Sequence, residues 1–157
     1  MEARSAAEEL ALRKVKKVLS DLRDEDITWV FGADTLITLD GKYYDKPTDR
    51  NDATNILRSL QGRTHKVISG LALYSPRSQK FDCRSVESDV SFAPITENEI
   101  EWYLKKGEWE GVAGGYQIQS LASCFITGIT GSFSSIMGLP LREFYVMLRD
   151  NGYPYGG

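Results

Sequence analysis

The residues able to do chemistry fall in five short clusters along the chain. Gly32-Ala33-Asp34-Thr35 follows a β-prone run, Ile27-Thr28-Trp29-Val30-Phe31, and sets a carboxylate where that strand is expected to end. Ligands of α/β sheets gather beyond the carboxyl ends of strands, and a carboxylate there is either solvated or held by a cation, because burying a bare charge is prohibitive. Asp34 therefore reads as a divalent-metal ligand or a base for water, with a turn-forming aspartate as the alternative. Lys46 precedes Pro47, which biases it toward an extended conformation and suits it to offer a point charge to a phosphate; a solvated loop lysine is the other reading. His65, in Gly62-Arg63-Thr64-His65, is the sole histidine, so neither a catalytic Cys–His couple nor a multi-histidine metal site is easily built, and a structural hydrogen-bonding histidine is expected. In Ala113-Gly114-Gly115-Tyr116-Gln117-Ile118-Gln119, adjacent glycines let a ligand approach the backbone. The glutamine amides beside them both donate and accept, as a nucleobase edge requires; a glycine-rich turn into a strand fits equally. Gly131-Ser132-Phe133-Ser134-Ser135 brings hydroxyls and amides near a helix start, a setting for an anion or for capping alone.

Four helices and several strands must position these clusters. Val15, Val18, Leu19 and Leu22 share one face of a helix running from about residue 6 to residue 22. Ala53, Ile56, Leu57 and Leu60 repeat that spacing, with Asp49 as N-cap and Gly62 past the end. Thr96-Glu97-Asn98-Glu99 is a capping box ahead of Ile100, Tyr103 and Leu104, and Gly107 ends that helix. Leu141, Phe144, Tyr145 and Leu148 define the last. The 27–31 run reads as a strand buried on both faces. Asp40-Gly41 predicts a hairpin between 36–39 and 42–44. Longer strands are expected over 66–73 and 81–92, and a final one over 123–126. Hairpins interrupt the alternation of helices and strands, so the expected class is α/β, with a mixed, twisted central sheet and flanking helices.

With 157 residues, 41% hydrophobic and 26% charged, the chain is expected to form one globular domain spanning 1–157, with 151–157 as a flexible tail. Nineteen basic residues against 22 acidic ones give a net charge of −3, which disfavours binding nucleic acid through bulk phosphate attraction. It leaves room for a small anion held by a few local cations. Two separated cysteines, Cys83 and Cys124, argue against a disulfide framework or a structural zinc site and for a reducing compartment. No apolar run is long enough for a membrane span, and the charged start is unlike a signal peptide. The expected location is the cytoplasm.

Taken in order, the five clusters resemble the Maf family, known for septum-formation inhibition and nucleoside triphosphate pyrophosphatase activity. The match rests on Gly32-Ala33-Asp34-Thr35, Asp45-Lys46-Pro47, Gly62-Arg63-Thr64-His65-Lys66-Val67, Ala113-Gly114-Gly115-Tyr116-Gln117-Ile118-Gln119 and Gly131-Ser132-Phe133-Ser134-Ser135-Ile136-Met137-Gly138-Leu139-Pro140-Leu141. Leu10-Ala11 with Lys14 is similar to the family's Leu-Ala-x-x-Lys helix. The resemblance implies an α/β fold with a cleft between two lobes. It implies Asp34 as the proton acceptor beside a divalent metal (Mg2+ or Mn2+), Lys14 and Lys46 facing a triphosphate, and Thr35 and Gln119 selecting the base of dTTP or UTP. It also places His65 with the substrate-binding residues and implies a homodimer. The family's opening strand and its Ser-x-Ser-Pro-Arg-Arg loop have no counterpart in these residues, so the expectation is a shortened start with fewer cations on the phosphates. Ser75-Pro76-Arg77 echoes that loop from a different place and takes no role from it. Glu110-Gly111-Val112 stands where many relatives have Asp-Lys, which removes one cation. The alternative implied by these departures is a catalytically impaired relative that binds nucleotides or a division partner.

Overall fold

Thr64–Ser75 forms the central strand of a five-stranded sheet in a computed structural model that describes residues 2–155. In chain order the elements are α1 (Ala3–Asp21), β1 (Val30–Leu39), β2 (Lys42–Tyr44), α2 (Arg50–Leu60), β3 (Thr64–Ser75), β4 (Lys80–Phe92), α3 (Glu97–Lys105), β5 (Ile126–Thr130), α4 (Phe133–Met137) and α5 (Leu141–Asp150). The sheet order is β2-β1-β3-β4-β5. The expected α/β class with flanking helices is what forms, and every pairing between described neighbours is antiparallel. The mixed pairing expected from the sequence is absent among them for a topological reason. The β2–α2–β3 crossover does join two parallel strands, but β1 lies between them and takes both as antiparallel neighbours.

Local chemistry accounts for most boundaries. Asp40 and Gly41 both adopt positive φ, 51° and 76°, closing a two-residue turn whose twist matches the β1–β2 hairpin. The Asp49 carboxylate accepts from the Asp52 N–H to start α2, and Thr96 and Glu99 complete the reciprocal capping box of α3.

Three elements depart from the expected boundaries. β1 starts at Val30, and Ile27 is 38% exposed rather than buried on both faces. The strand also runs straight through Gly32-Ala33-Asp34-Thr35 instead of ending there. It can continue because Asp34 finds a cation beside the sheet and so needs no strand end to reach one. On α1 the buried stripe is Ala7, Ala11 and Val15, with Val18 47% exposed. Leu121–Phe125 is a 3-10 turn rather than the start of a strand, since Ala122 and Phe125, three apart, both turn into the core. The expected tail is anchored as far as Tyr155, by ring contacts among Trp29, Tyr145, Tyr153 and Tyr155; the last two glycines lie outside the described residues.

The two faces of the sheet are packed differently. Gly32, Gly70 and Ala72 point toward α1 and meet its alanines, so helix and sheet backbones nearly touch. The alternating residues Phe31, Ala33, Leu71 and Leu73 point to the other face, where Met147 of α5 covers them. On that second face Ile37 and Val67 join the main core with α2 and α3. A Cβ on Gly70 would lie 2.2 Å from the backbone of Ala7. Gly70→Ala is therefore expected to cost about 3 kcal/mol, the upper part of the overpacking range, by pushing α1 off the sheet. Thermal unfolding checks this, and an unchanged midpoint would contradict the close docking.

Candidate active site

Asp34 sits in mid-strand on the α1 face, its side chain 19% exposed, and pairs with the Lys14 ammonium on α1. The same ammonium donates to the Ala33 carbonyl at 3.0 Å. Lys14 reaches both because it lies one turn beyond Ala11, at the point where small residues bring α1 against β1. β2 pairs only with Ile37, Thr38 and Leu39, so β1 before Ile37 has no strand on that edge among the described residues. A cleft of about 280 Å³ opens there.

The cleft is lined by two chemically distinct sets of residues. Lys14 and Asp34, paired with each other, and Lys46 form the charged set. Lys46 has no ion-pair partner among the described residues; its backbone N–H is held by the Asp45 carboxylate at 2.7 Å. Ile37, Val67, Tyr116, Ile136 and Met137 supply apolar wall, with the Gln117 and Gln119 amides beside them. Thr35 also lines the cleft, on the opposite strand face from Asp34. Its hydroxyl is 2.9 Å from that of Ser69, which donates to the Ser135 carbonyl at 2.7 Å.

The loop carrying Gln119 is fixed from several sides. Gly114 N–H donates to the Asp45 carbonyl at 3.2 Å, and the Tyr103 hydroxyl donates to the Gly115 carbonyl at 2.8 Å. Gly114 and Gly115 both hold positive φ, 69° and 74°, which brings the loop tight against Ile37 and Pro47.

Of the residues singled out from the sequence, Asp34, Thr35, Lys14, Lys46 and Gln119 come together around this cleft. His65 is not among the residues lining it. It is fully buried, with Nε2 2.5 Å from the Tyr116 hydroxyl and its ring edge-on to Phe92 and Tyr116. Its reach to the cleft is through Tyr116, as support for the wall. Sequence reasoning overlooked Ser69, which is brought under Thr35 by the β1–β3 register.

The donor set bears on a metal. Among the described residues no group of three or more His, Cys, Asp or Glu side chains comes together, so no all-protein cage exists. Magnesium and its like are commonly held by one or two carboxylates, with substrate phosphates and water completing the shell. Asp34, which lines a cleft that Lys14 and Lys46 also line, fits that use.

Comparison with known proteins places nearly the whole chain. The profile of a family described as "Maf-like protein" matches residues 1–151. A dTTP/UTP pyrophosphatase of Chelativorans sp. (strain BNC1) is 39% identical over 153 residues, covering 96% of this chain and 73% of that relative. One from Mesorhizobium japonicum is 38% identical with the same coverage. Another, from Pelotomaculum thermopropionicum, is 39% identical over 146 residues, which is 93% of this chain and 75% of the relative.

Burial of His65 has a titration consequence. Desolvation lowers its pKa from 6.5 to about 4, outweighing the opposing pull of Asp89. Between those values the unfolded chain takes up a proton that the folded chain refuses. Stability is therefore present above pH 6.5 and falls as the pH drops toward 4, by roughly 3 kcal/mol at about 1.4 kcal/mol per unit. Because this is the only histidine, its imidazole NMR signals are unambiguous. They are expected to stay flat from pH 8 to about 5; a midpoint near 6.5 would contradict the buried placement.

Proposed function

This chain belongs to the Maf family, and from that membership and the geometry of the cleft we propose that it hydrolyses nucleoside triphosphates of the dTTP and UTP type to the monophosphate and pyrophosphate. The observation that carries this reading is that one cleft is lined by the Lys14–Asp34 pair, by Lys46, and by apolar side chains with Gln117 and Gln119. Two cations suit a triphosphate, and an apolar wall with glutamine side chains suits a pyrimidine. The names of the three relatives support the same substrate class.

On this reading the Asp34 carboxylate takes a proton from a water molecule as the water oxygen bonds to the α-phosphorus. The bond from that phosphorus to the bridging oxygen breaks, and pyrophosphate leaves with the bonding pair. Lys46 meets the charge growing on the leaving phosphates, while Lys14 orients Asp34 and offers its remaining N–H donors to the substrate. Asp34 is also the side chain that would hold a divalent cation, Mg2+ or Mn2+, whose contribution is charge neutralisation at phosphate oxygens. Thr35 and Gln119 face the base, and His65 acts behind them by holding Tyr116.

Cytoplasmic location and assembly as a homodimer belong to the same reading. Exposed Phe133, Met137, Leu139 and Leu141 form the surface best suited to such a contact, and no described helix is long and apolar enough to cross a membrane.

Pyrophosphate release from dTTP or UTP tests the proposal. Asp34→Asn is expected to lower the rate by about a hundredfold or more, the usual loss on removing a general base. Chelation by EDTA is expected to abolish turnover, and added Mg2+ or Mn2+ to restore it. Equal rates for wild type and variant would remove Asp34 from the chemistry. Nucleotide binding without turnover would point instead to a non-catalytic nucleotide-binding protein.

A further inference from the structure

We infer that Ser69, a fully buried residue that does not line the cleft, sets the direction of the Thr35 hydroxyl proton and thereby makes the site select an imide-bearing pyrimidine, uracil or thymine, over cytosine. The inference rests on the proposed nucleotide reading and deepens it.

The argument is one of proton counting. The Ser69 hydroxyl has a single hydrogen and two partners, the Ser135 carbonyl oxygen at 2.7 Å and the Thr35 hydroxyl oxygen at 2.9 Å. A carbonyl oxygen only accepts, so the Ser69 hydrogen is committed to Ser135. Ser69 must then accept from Thr35, and the Thr35 hydrogen is committed in turn. What Thr35 can show a ligand is its oxygen lone pairs alone. Ser69 is wholly shielded from water, so no solvent competes to reverse the chain, and α4 holds the terminal carbonyl in place through the Ser132 cap on the Ser135 N–H.

Placement decides what those lone pairs meet. Asp34 and Thr35 are adjacent in β1 and point to opposite faces. Asp34 and its partner Lys14 lie on the α1 side, whereas Ile37 and Val67 share the strand face of Thr35 and line the same cleft. A nucleotide with its phosphates at the charged residues lays its ring against that apolar wall, next to Thr35. Uracil and thymine carry an N–H at ring position 3, whereas cytosine carries a bare lone pair there. An acceptor-only Thr35 completes a hydrogen bond with the former and opposes the latter lone pair to lone pair. Ser69 is thus a positioning residue that acts through Thr35.

The test is kcat/KM for UTP and CTP in wild type, Ser69→Ala, Thr35→Ser and Thr35→Val. Wild type is expected to prefer UTP. Ser69→Ala frees the Thr35 hydroxyl to turn its proton toward the ring and is expected to lower the UTP:CTP ratio about tenfold or more, the size of one hydrogen bond of about 1.4 kcal/mol. That change falls on KM, with kcat for UTP within about threefold, because the base is bound equally before and during reaction. Thr35→Ser keeps the chain of donors and is expected to keep the ratio. Thr35→Val is expected to lose more on UTP than on CTP, and this variant decides the matter if Ser69→Ala does not fold. Three results would overturn the inference: no UTP preference in wild type, an equal loss on both substrates in Ser69→Ala, or a larger loss on CTP in Thr35→Val. If wild type hydrolyses neither nucleotide, the hydrolytic reading fails, and the same comparison made by calorimetric binding of UMP and CMP still decides the role of Ser69.

Discussion

The ion pair between Lys14 and Asp34 is the contact on which the arrangement turns. A carboxylate in the middle of a strand, most of its surface removed from water, needs a cation close by. Lys14 provides one only because α1 lies almost in backbone contact with β1 and β3. That approach depends on the absence of side chains at Gly32 and Gly70 and on alanines at positions 7 and 11. The small-residue seam, which would otherwise look like a weak core, is what brings an ammonium group to the sheet. Because the lysine stays more than half exposed, the pair adds little to stability; its effect is to fix where the carboxylate points.

One strand then supplies both the carboxylate and the hydroxyl of the cleft. Successive residues of β1 face opposite ways, so Asp34 addresses the charged side and Thr35 the apolar side. A ligand can reach both because β2 is short and leaves the edge of β1 clear before Ile37. The far wall belongs to the Gly114-Gly115 loop, locked down by Tyr103, Asp45 and Pro47. Behind it the buried His65–Tyr116 pair forms a stiff backing, in which the neutral imidazole is favoured by desolvation. Each wall is rigid for its own local reason.

Much of this was legible in the sequence. Capping residues at Asp49 and Thr96 and the Asp40-Gly41 turn act within a few residues, so their signals are local and the structure reproduces them. Five of the six residues singled out from the sequence line one cleft. Other features depend on contacts distant in sequence. The continuation of β1 through Asp34 follows from a lysine twenty residues earlier. The buried face of α1 is an alanine stripe, invisible to a search for large apolar residues. The parallel strands β2 and β3 do not pair because β1 lies between them, a matter of strand order. Ser69 lies under Thr35 only through the β1–β3 register, and nothing in its neighbours along the chain marks it.

The central claim, water attack at the α-phosphorus beside Asp34, is tested most directly by following the oxygen. Hydrolysis of UTP in water enriched in oxygen-18, with products resolved by mass spectrometry, is expected to place the heavy atom in UMP and leave pyrophosphate unlabelled. Label in pyrophosphate, or orthophosphate as the first product, would put the attack at another phosphorus and contradict the account.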